Sequence, residues 1–260
     1  MRPANKVSIS AVIITFNEAS NIARCLQSLA GIADEIVVVD SYSTDNTPQI
    51  CRSFANVRFI QQAFEGYIEQ KNYANTQATY PYILSLDADE ALSEPLRQSI
   101  LEVKNNWQHD GYYLNRLNNY CGKWIRHGTW YPDRKLRLWN SQKGTWGGTN
   151  PHDRFFLEKN TTTATLKGDL LHYTVHSIQQ HIGQINKFST IRAEGMFTKG
   201  KKSGVYHLYC KPVIGFIWSY FLKLGFLDGY YGFVISLNSA YSVFLRYAKL
   251  KELWKNNTPA

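Results

Sequence analysis

What this chain has little of narrows it before any motif is read. Charged residues fill only 19% of its 260 positions, while the hydrophobic set reaches 44%. That balance excludes a disordered chain and a coiled coil as the main class. The four cysteines, Cys25, Cys51, Cys121 and Cys210, form no C-x-x-C pair and no finger-like spacing. They read as buried or incidental thiols in a reducing compartment rather than as a disulfide framework. No uninterrupted apolar run approaches the ~20 residues of a spanning helix, because the longest stretch, FIWSYFLKLGFLDGYYGF, is broken by Lys223 and Asp228. The opening, MRPANKVSISAVIITFN, lacks the long apolar run and cleavage site of a secretory signal. Neither G-x-G-x-x-G nor G-x-x-x-x-G-K-[ST] occurs, so the dinucleotide and P-loop ways of holding phosphate do not apply. A chain of this length buries a full core without staples. The expectation is a cytoplasmic α/β protein of one large domain, or one domain with appendages.

Charge is present but unevenly placed. The net charge is +9, and from Gly195 onward nine Lys/Arg face two acids, Asp228 and Glu252. Trp, Tyr and Phe crowd the same tail. A basic aromatic region suits an anionic membrane surface, or nucleic acid, with cations on phosphate and rings under bases. The broken apolar stretch favours a segment that lies on a membrane over one that spans it.

The first hundred residues alternate strand and helix patterns. Ala11-Val12-Ile13-Ile14 and Ile36-Val37-Val38-Val39 are continuous apolar runs, as in strands buried on both faces. Ile22, Cys25, Leu26 and Leu29 recur on one helix face. Thr47-Pro48 reads as an N-cap followed by proline in the first helical turn. Strands are also expected at 57–60 and 82–86, with a helix over about 66–76 between them. Leu92, Leu96, Ile100 and Val103 predict another helix face. The order βαβαβαβα predicts a parallel sheet with right-handed crossovers. Beyond Trp107 the pattern shifts to antiparallel strands or long loops up to Trp146, then to a mostly helical stretch over 170–194 and the helical tail.

Ligands of open α/β sheets bind beyond the carboxyl ends of the strands. Here those ends carry Thr15-Phe16-Asn17-Glu18, Asp40-Ser41-Tyr42-Ser43-Thr44-Asp45 and Asp87-Ala88-Asp89-Glu90. In an extended segment Asp87 and Asp89 point the same way, and such a carboxylate pair suits Mg²⁺ or Mn²⁺ with positions left for diphosphate oxygens. The blander account is that Asp89 and Glu90 favour the dipole of a following helix. His172-x-x-x-His176 has the spacing of a zinc pair on a helix, but no acid stands between them to act as a protease base.

The runs VIITFNEASNIARCLQSL, EIVVVDSYSTDNT, QKNYA and LSLDADE resemble family 2 glycosyltransferases of the GT-A fold. The later segments PDRKLRLW, WGGTNPHDRF, LLHYTVHS and GFLDGYYGF resemble the WaaE- or KdtX-like branch of lipopolysaccharide core biosynthesis. The resemblance implies a mostly parallel, Rossmann-like sheet flanked by helices, and an inverting transferase using a UDP-sugar and Mg²⁺ or Mn²⁺. It implies a catalytic domain over 1–194, with a nucleotide-sugar half over 1–107 and an acceptor half over 108–194, followed by the basic aromatic helical tail, 195–260.

Carried over by motif, Thr15, Asn17 and Glu18 would line the nucleotide pocket, and Asp40 would contact base or ribose. Lys71 would reach the nucleotide, Asp87 would hold the ribose, and Asp89 would bind the cation. His172 would contribute to cation or diphosphate, or be structural. An inverting transfer needs a base within reach of the acceptor hydroxyl; Asp153 with His152 is the first candidate and Asp133 the rival. Arg134, Arg137 and Trp139 resemble an acceptor-side motif, or form an amphipathic strand with an aromatic anchor. The acceptor would be a glycolipid or oligosaccharide, with glucose passing to an inner-core heptose. The place would be the inner face of the cell membrane, peripherally bound, and a homo-oligomer is a further possibility. A sugar nucleotidyltransferase would instead need a Gly-rich basic loop after the first strand, where T-F-N-E stands. A nucleic-acid module would leave the acidic strand ends unexplained, since carboxylates repel phosphate; no nucleic acid partner is expected.

Overall fold

The computed structural model describes residues 6–149 and 152–257, and of Thr149 and His152 the backbone alone. Nine strands form the main sheet. β1 (Ile9–Thr15), α1 (Ile22–Ser28), β2 (Glu35–Asp40), α2 (Thr47–Arg52), β3 (Val57–Gln61), α3 (Tyr67–Thr76) and β4 (Tyr82–Asp87) open the chain. β5 (Glu90–Leu92), α4 (Glu94–Asn105), β6 (Gly111–Tyr120), β7 (Lys123–Ile125) and β8 (Asp133–Asn140) follow. β9 (Gly144–Thr149) and β10 (His152–Leu157) form a separate antiparallel pair, and β11 (Thr163–Val175), α5 (Ile178–Phe197), α6 (Lys211–Ile217) and α7 (Gly229–Asn257) complete the chain.

The sheet order is β3-β2-β1-β4-β8-β6-β11-β5, with β7 on β6. β3, β2, β1 and β4 are parallel, and β8 joins β4 antiparallel. The apolar runs read from sequence are the buried strands: Ala11, Val12, Ile13 and Val37 to Val39 are at most 2% exposed. The predicted α1 face is buried too, with Ile22, Cys25, Leu26 and Leu29 in the main core. Strand order reverses beside β1, where β2 lies on one side and β4 on the other, and crevices open at such points.

Two local expectations are corrected. Leu92 belongs to β5, paired with Leu170 of β11, and not to the α4 face. Residues 170–175 are strand, not helix. Thr, Val and alternating apolar residues suit a pleat, and the helix starts only at Ser177, whose hydroxyl accepts from Gln180 N at 3.1 Å. Gln180 returns the bond, accepting from His176 N at 2.8 Å. Reciprocal capping of this kind fixes a helix start. His172 and His176 therefore share no helix.

The chain forms two compact units, residues 1–116 with 134–173, and residues 117–133 with 174–260. The division differs from a boundary near 195, because α5 packs along α7. In the second unit Tyr120, Ile125, Val175 and Ile235 form one core and Ala193, Leu208, Tyr247 and Leu250 another. The tail is helical as expected, with α7 running for 29 residues. All four cysteines are free; Cys25 and Cys51 are buried, whereas Cys210 is exposed.

Candidate active site

A cavity of about 590 Å³ opens in the first unit at the carboxyl ends of β1, β2 and β4. Ile14, Thr15, Phe16 and Glu18 line it from the end of β1, Ser41 from β2, and Asp87, Ala88 and Asp89 from β4. Phe64, Tyr67 and Gln70 close another side, and His172 of β11 completes the lining.

The loops after β1 and β2 are tied together by short polar side chains. Asn17 adopts φ 56°, a left-handed conformation that asparagine tolerates. Its backbone N donates to Ser43 Oγ at 2.8 Å, and its side-chain oxygen accepts from Thr44 N at 2.8 Å. Glu18 N donates to Thr47 Oγ1, and Ala19 N to Asp45 Oδ2. Asn17 thus braces the loop and is absent from the cavity lining, which corrects the expectation that it faces the pocket. Asp40 is corrected likewise. It is fully buried, accepting from Ser43 N at 2.9 Å, Ser43 Oγ at 2.5 Å and Gln61 Nε2 at 3.3 Å. With its oxygens spent on the loop it offers no surface to a ligand; its neighbour Ser41 faces the cavity instead.

The two aspartates of D-A-D have different surroundings. Asp87 Oδ1 lies 3.0 Å from Lys71 Nζ, and Asp87 Oδ2 2.5 Å from Arg137. Burial alone would raise its carboxyl, but Arg137 and Lys71 hold it well below the usual carboxylate range. Asp89 faces His172, with 3.2 Å between Oδ2 and Nε2. Glu90 is buried in β5 beneath both. It takes Arg137 at 2.8 Å and Arg116 at 3.5 Å, and accepts from Asp87 N at 3.0 Å. Glu90 therefore supports the turn from within, and the helix-dipole account does not describe it.

Lys71 is 5% exposed, and its ammonium also contacts Asp153 Oδ2 at 2.8 Å and lies 4.6 Å from the Trp146 ring. A lysine read as reaching a nucleotide is thus the bridge between the end of β4 and β10. The side chain of His152 lies outside the described residues. Asp133 opens β8 and falls, by its packing, in the second unit. Arg134 is exposed at the start of β8.

Arg137 and Trp139 are corrections. β8 is covered on both faces here: Arg137 is 4% exposed between Asp87 and Glu90, Trp139 is 0% exposed, and Leu138 between them is buried on the opposite face. Trp139 stacks on Phe155 at 4.0 Å and meets Trp146 edge-on. Trp139 is an aromatic anchor, but on a strand buried on both faces at this point rather than an amphipathic one, and neither side chain is open to an acceptor.

A divalent cation has a plausible donor set here. Asp89 and His172 supply one carboxylate oxygen and one imidazole nitrogen at the cavity wall. Among the described residues no group of three His, Cys, Asp or Glu ligands exists, so remaining positions would be filled by diphosphate oxygens and water, as hard cations permit. Asp87 does not fit as a ligand while two cations hold it. Thr15 Oγ1 is buried at the cavity without a hydrogen-bond partner, the kind of orphan that a bound ligand satisfies.

Sequence reasoning missed Phe16, Phe64, Tyr67 and Gln70. Phe64 and Tyr67 pack edge to face at 5.1 Å, and the three rings are 44–56% exposed. The available signal was aromatic residues flanking polar strand ends. Gln70, 2% exposed, donates to Ser41 Oγ at 3.1 Å.

Residues 10–161 match the model of the Glycosyl transferase family 2. A glycosyltransferase of Rickettsia bellii is 34% identical over 97% of this chain and 89% of its own length. The lipopolysaccharide core biosynthesis glycosyltransferase LpsC of Rhizobium meliloti is 32% identical over 94% of this chain and 92% of its own. In structure the chain is similar to a mannosyltransferase of Pyrobaculum calidifontis solved with GDP-Man and Mn²⁺. That similarity has a TM-score of 0.51 at 14% identity, over 99% of this chain and 78% of the other.

Proposed function

Because the chain belongs to glycosyl transferase family 2, we propose that it moves one sugar, with inversion, from a UDP-sugar to a saccharide of the lipopolysaccharide inner core. The observation that carries this reading is the cavity at the β1/β4 reversal, which joins exposed rings, a paired Asp87 and an open Asp89–His172 pair. Phe16, Phe64 and Tyr67 offer faces on which a base stacks. Thr15 Oγ1 and Glu18 give polar contacts to the ribose. Asp89 and His172 would hold Mg²⁺ or Mn²⁺, which when bound supplies positive charge against the diphosphate.

Asp153 is the base of this reading. Its carboxylate takes the proton of the acceptor hydroxyl. The oxygen then forms its bond to the anomeric carbon as the bond from that carbon to the diphosphate oxygen breaks, and the electron pair leaves with the diphosphate. Lys71, 2.8 Å from its Oδ2, aims the Asp153 carboxylate, the task of a group orienting a base. The relative LpsC, named for lipopolysaccharide core biosynthesis, supports a place in that process; a core saccharide as acceptor, with glucose passing to heptose, is the finer part of our reading. The enzyme would work at the inner face of the cell membrane.

A screen of UDP- and GDP-sugars with Mn²⁺, with and without a core oligosaccharide, tests the proposal. Turnover of one UDP-sugar that rises with the oligosaccharide is expected. Turnover confined to GDP-sugars would overturn the donor, and hydrolysis indifferent to the oligosaccharide would overturn the acceptor.

A further inference from the structure

The helical tail of the second unit is built with its polarity reversed. The stretches 206–222 and 225–257 fold back on each other. Lys211 Nζ reaches Tyr247 OH at 3.0 Å, Ser219 and Ser236 share a hydrogen bond at 2.9 Å, and at the bend Gly225 packs on Ser219 and Tyr220. A Cβ on Gly232 would lie 1.9 Å from Gly225 O of its own stretch, and one on Gly225 2.7 Å from Ser219 O of the other, so only glycine fits at the bend. Around the bend the buried seam is thus small or polar, with Ser219, Gly225, Asp228, Gly232, Ser236 and Ala240. Ile235 joins the core of Tyr120, Ile125 and Val175, and Leu208, Tyr247 and Leu250 are buried only toward the far end.

Large apolar side chains point outward instead. Val213, Ile214, Ile217, Trp218, Phe221 and Leu222 are 44–63% exposed on one stretch. Phe226, Leu227, Tyr230, Phe233, Leu237 and Tyr241 are 42–67% exposed on the other. Seams of small residues with apolar exteriors are how helices pack in lipid, and an apolar patch this continuous marks an interaction surface. Charge is sorted along the same axis. Lys199, Lys201, Lys202, Lys211, Arg246, Lys249, Lys251 and Lys255 gather at the end away from the bend. Between Pro212 and Leu245 only Lys223 and Asp228 are charged. Asp228 is buried, its carboxylate accepting from the backbone N of Arg126 and of His127, while Lys123 reaches its backbone carbonyl. No single described helix is long and apolar enough to cross a membrane.

We propose that this hairpin inserts the apolar half around its bend into the acyl region of one leaflet of an anionic membrane, with the lysine-rich ends among the headgroups. The proposal deepens the membrane-face reading above, and rests on the hairpin alone. Lipid fits better than a second copy, because pairing two tails would set nine cations against nine with only four acids between them, whereas anionic headgroups attract them. Lys223, 5.6 Å from the Trp218 ring, has a flexible stem that carries its charge to the interface when the hairpin lies obliquely.

The full chain is mixed with vesicles of phosphatidylcholine alone or with phosphatidylglycerol, some brominated on the acyl chains. Expected are sedimentation with the anionic vesicles, and quenching of tryptophan fluorescence that Trp218→Phe removes. The double variant Phe221→Glu/Leu222→Glu, changed only at exposed positions, should partition at least about tenfold less while circular dichroism is unchanged. Co-sedimentation with Trp218 unquenched would mean surface attachment only and overturn insertion. Failure to bind, with an oligomer that the double variant dissolves, would assign the face to a second copy. UDP-sugar hydrolysis without lipid is measured in parallel. Its loss in the wild type strikes at the transferase reading and leaves the hairpin result standing.

Discussion

The inside of the first unit and the inside of the tail hairpin are opposites. Around β1, β2 and β4 the core is Ile, Val and Leu, and charged groups enter only where each has a partner, as Arg137 does between Asp87 and Glu90. In the half of the hairpin around its bend the seam is mostly Gly, Ser and Ala and most of the apolar bulk is outside, with Leu208, Tyr247 and Leu250 buried only toward the other end. Burial is favourable only relative to the surroundings left behind, so the two regions are built for different surroundings: water around the first, and lipid, by our proposal, around the apolar half of the second. By the same proposals the contrast separates function, with buried charge organised for chemistry in one and apolar surface offered for attachment in the other.

The largest effect expected from breaking this division is at the cavity. Asp89→Ala should lower transfer by ~10³-fold, the scale seen when a group stabilising developing charge is removed. It should also abolish Mn²⁺ binding followed by paramagnetic resonance, while thermal unfolding stays near wild type because Asp89 faces a cleft. Normal Mn²⁺ binding in that variant would falsify the role assigned to Asp89.

Asp153→Asn should cost ~10²–10⁴-fold in kcat, with donor affinity close to wild type, because a base acts in the transition state rather than in ground-state binding. Its amide retains the shape, and Lys71 keeps Asp87 as its partner. Asp133→Asn is the control. If it is inactive while Asp153→Asn transfers normally, the base has been misassigned.

Arg137→Met tests the buried charge directly. It leaves Asp87 without one of its two cations and Glu90 without its closest one, and a broken buried pair costs about 3–5 kcal/mol. Urea unfolding should show that loss. A change below about 1 kcal/mol would mean that water enters and relieves the network. The Asp87 carboxyl, held low in the folded state, adds a pH signature. Its stabilisation is fully present above the unfolded carboxyl value near pH ~4 and is lost as pH falls further. Arg137→Met should weaken that dependence.

How far the sequence carried the account follows the same division. Strands buried on both faces announce themselves as apolar runs, and the strand-end motifs placed Asp87, Asp89 and Thr15 at one cavity. Patterns failed where one residue type serves two purposes. Arg137 and Trp139 read as acceptor contacts, but β8 is covered on both faces and buries both; only its position beside β4 reveals that. Asp40 looked like a ligand group because nothing in D-S-Y-S-T-D tells a carboxylate facing solvent from one closing its own turn. Residues 170–175 read as helix because Leu, His and Tyr are compatible with either period. Partnership with β5 decided for strand. The reversed hairpin was legible only as composition, since periodicity gives two apolar helices and not which face is inside.

The smallest expected effect lies in the second unit and separates it from the first by pH. His181 is 8% exposed, with its Nδ1 3.0 Å from Tyr120 OH and 3.2 Å from Asn238 Nδ2. Its ring also packs edge-on against Tyr120 and Trp130. Burial lowers its pKa and keeps the imidazole neutral, while the same burial pushes the Tyr120 phenol up to about 12. Unfolding releases the histidine to an ordinary value near ~6.5, so below that pH the unfolded chain binds the extra proton. Stability contributed by His181 is therefore complete above pH ~6.5 and declines as pH falls from there toward the folded value. The cavity network begins to fail only near pH ~4. Hydrogen exchange across pH 7 to 5 should show protection falling first for β7 and the α5–α7 core, with β1, β2 and β4 unchanged. His181→Gln, which retains a neutral polar group beside Tyr120, should flatten that decline. If β1 loses protection in step with α7 throughout this range, His181 does not set a separate threshold and the two units unfold as one.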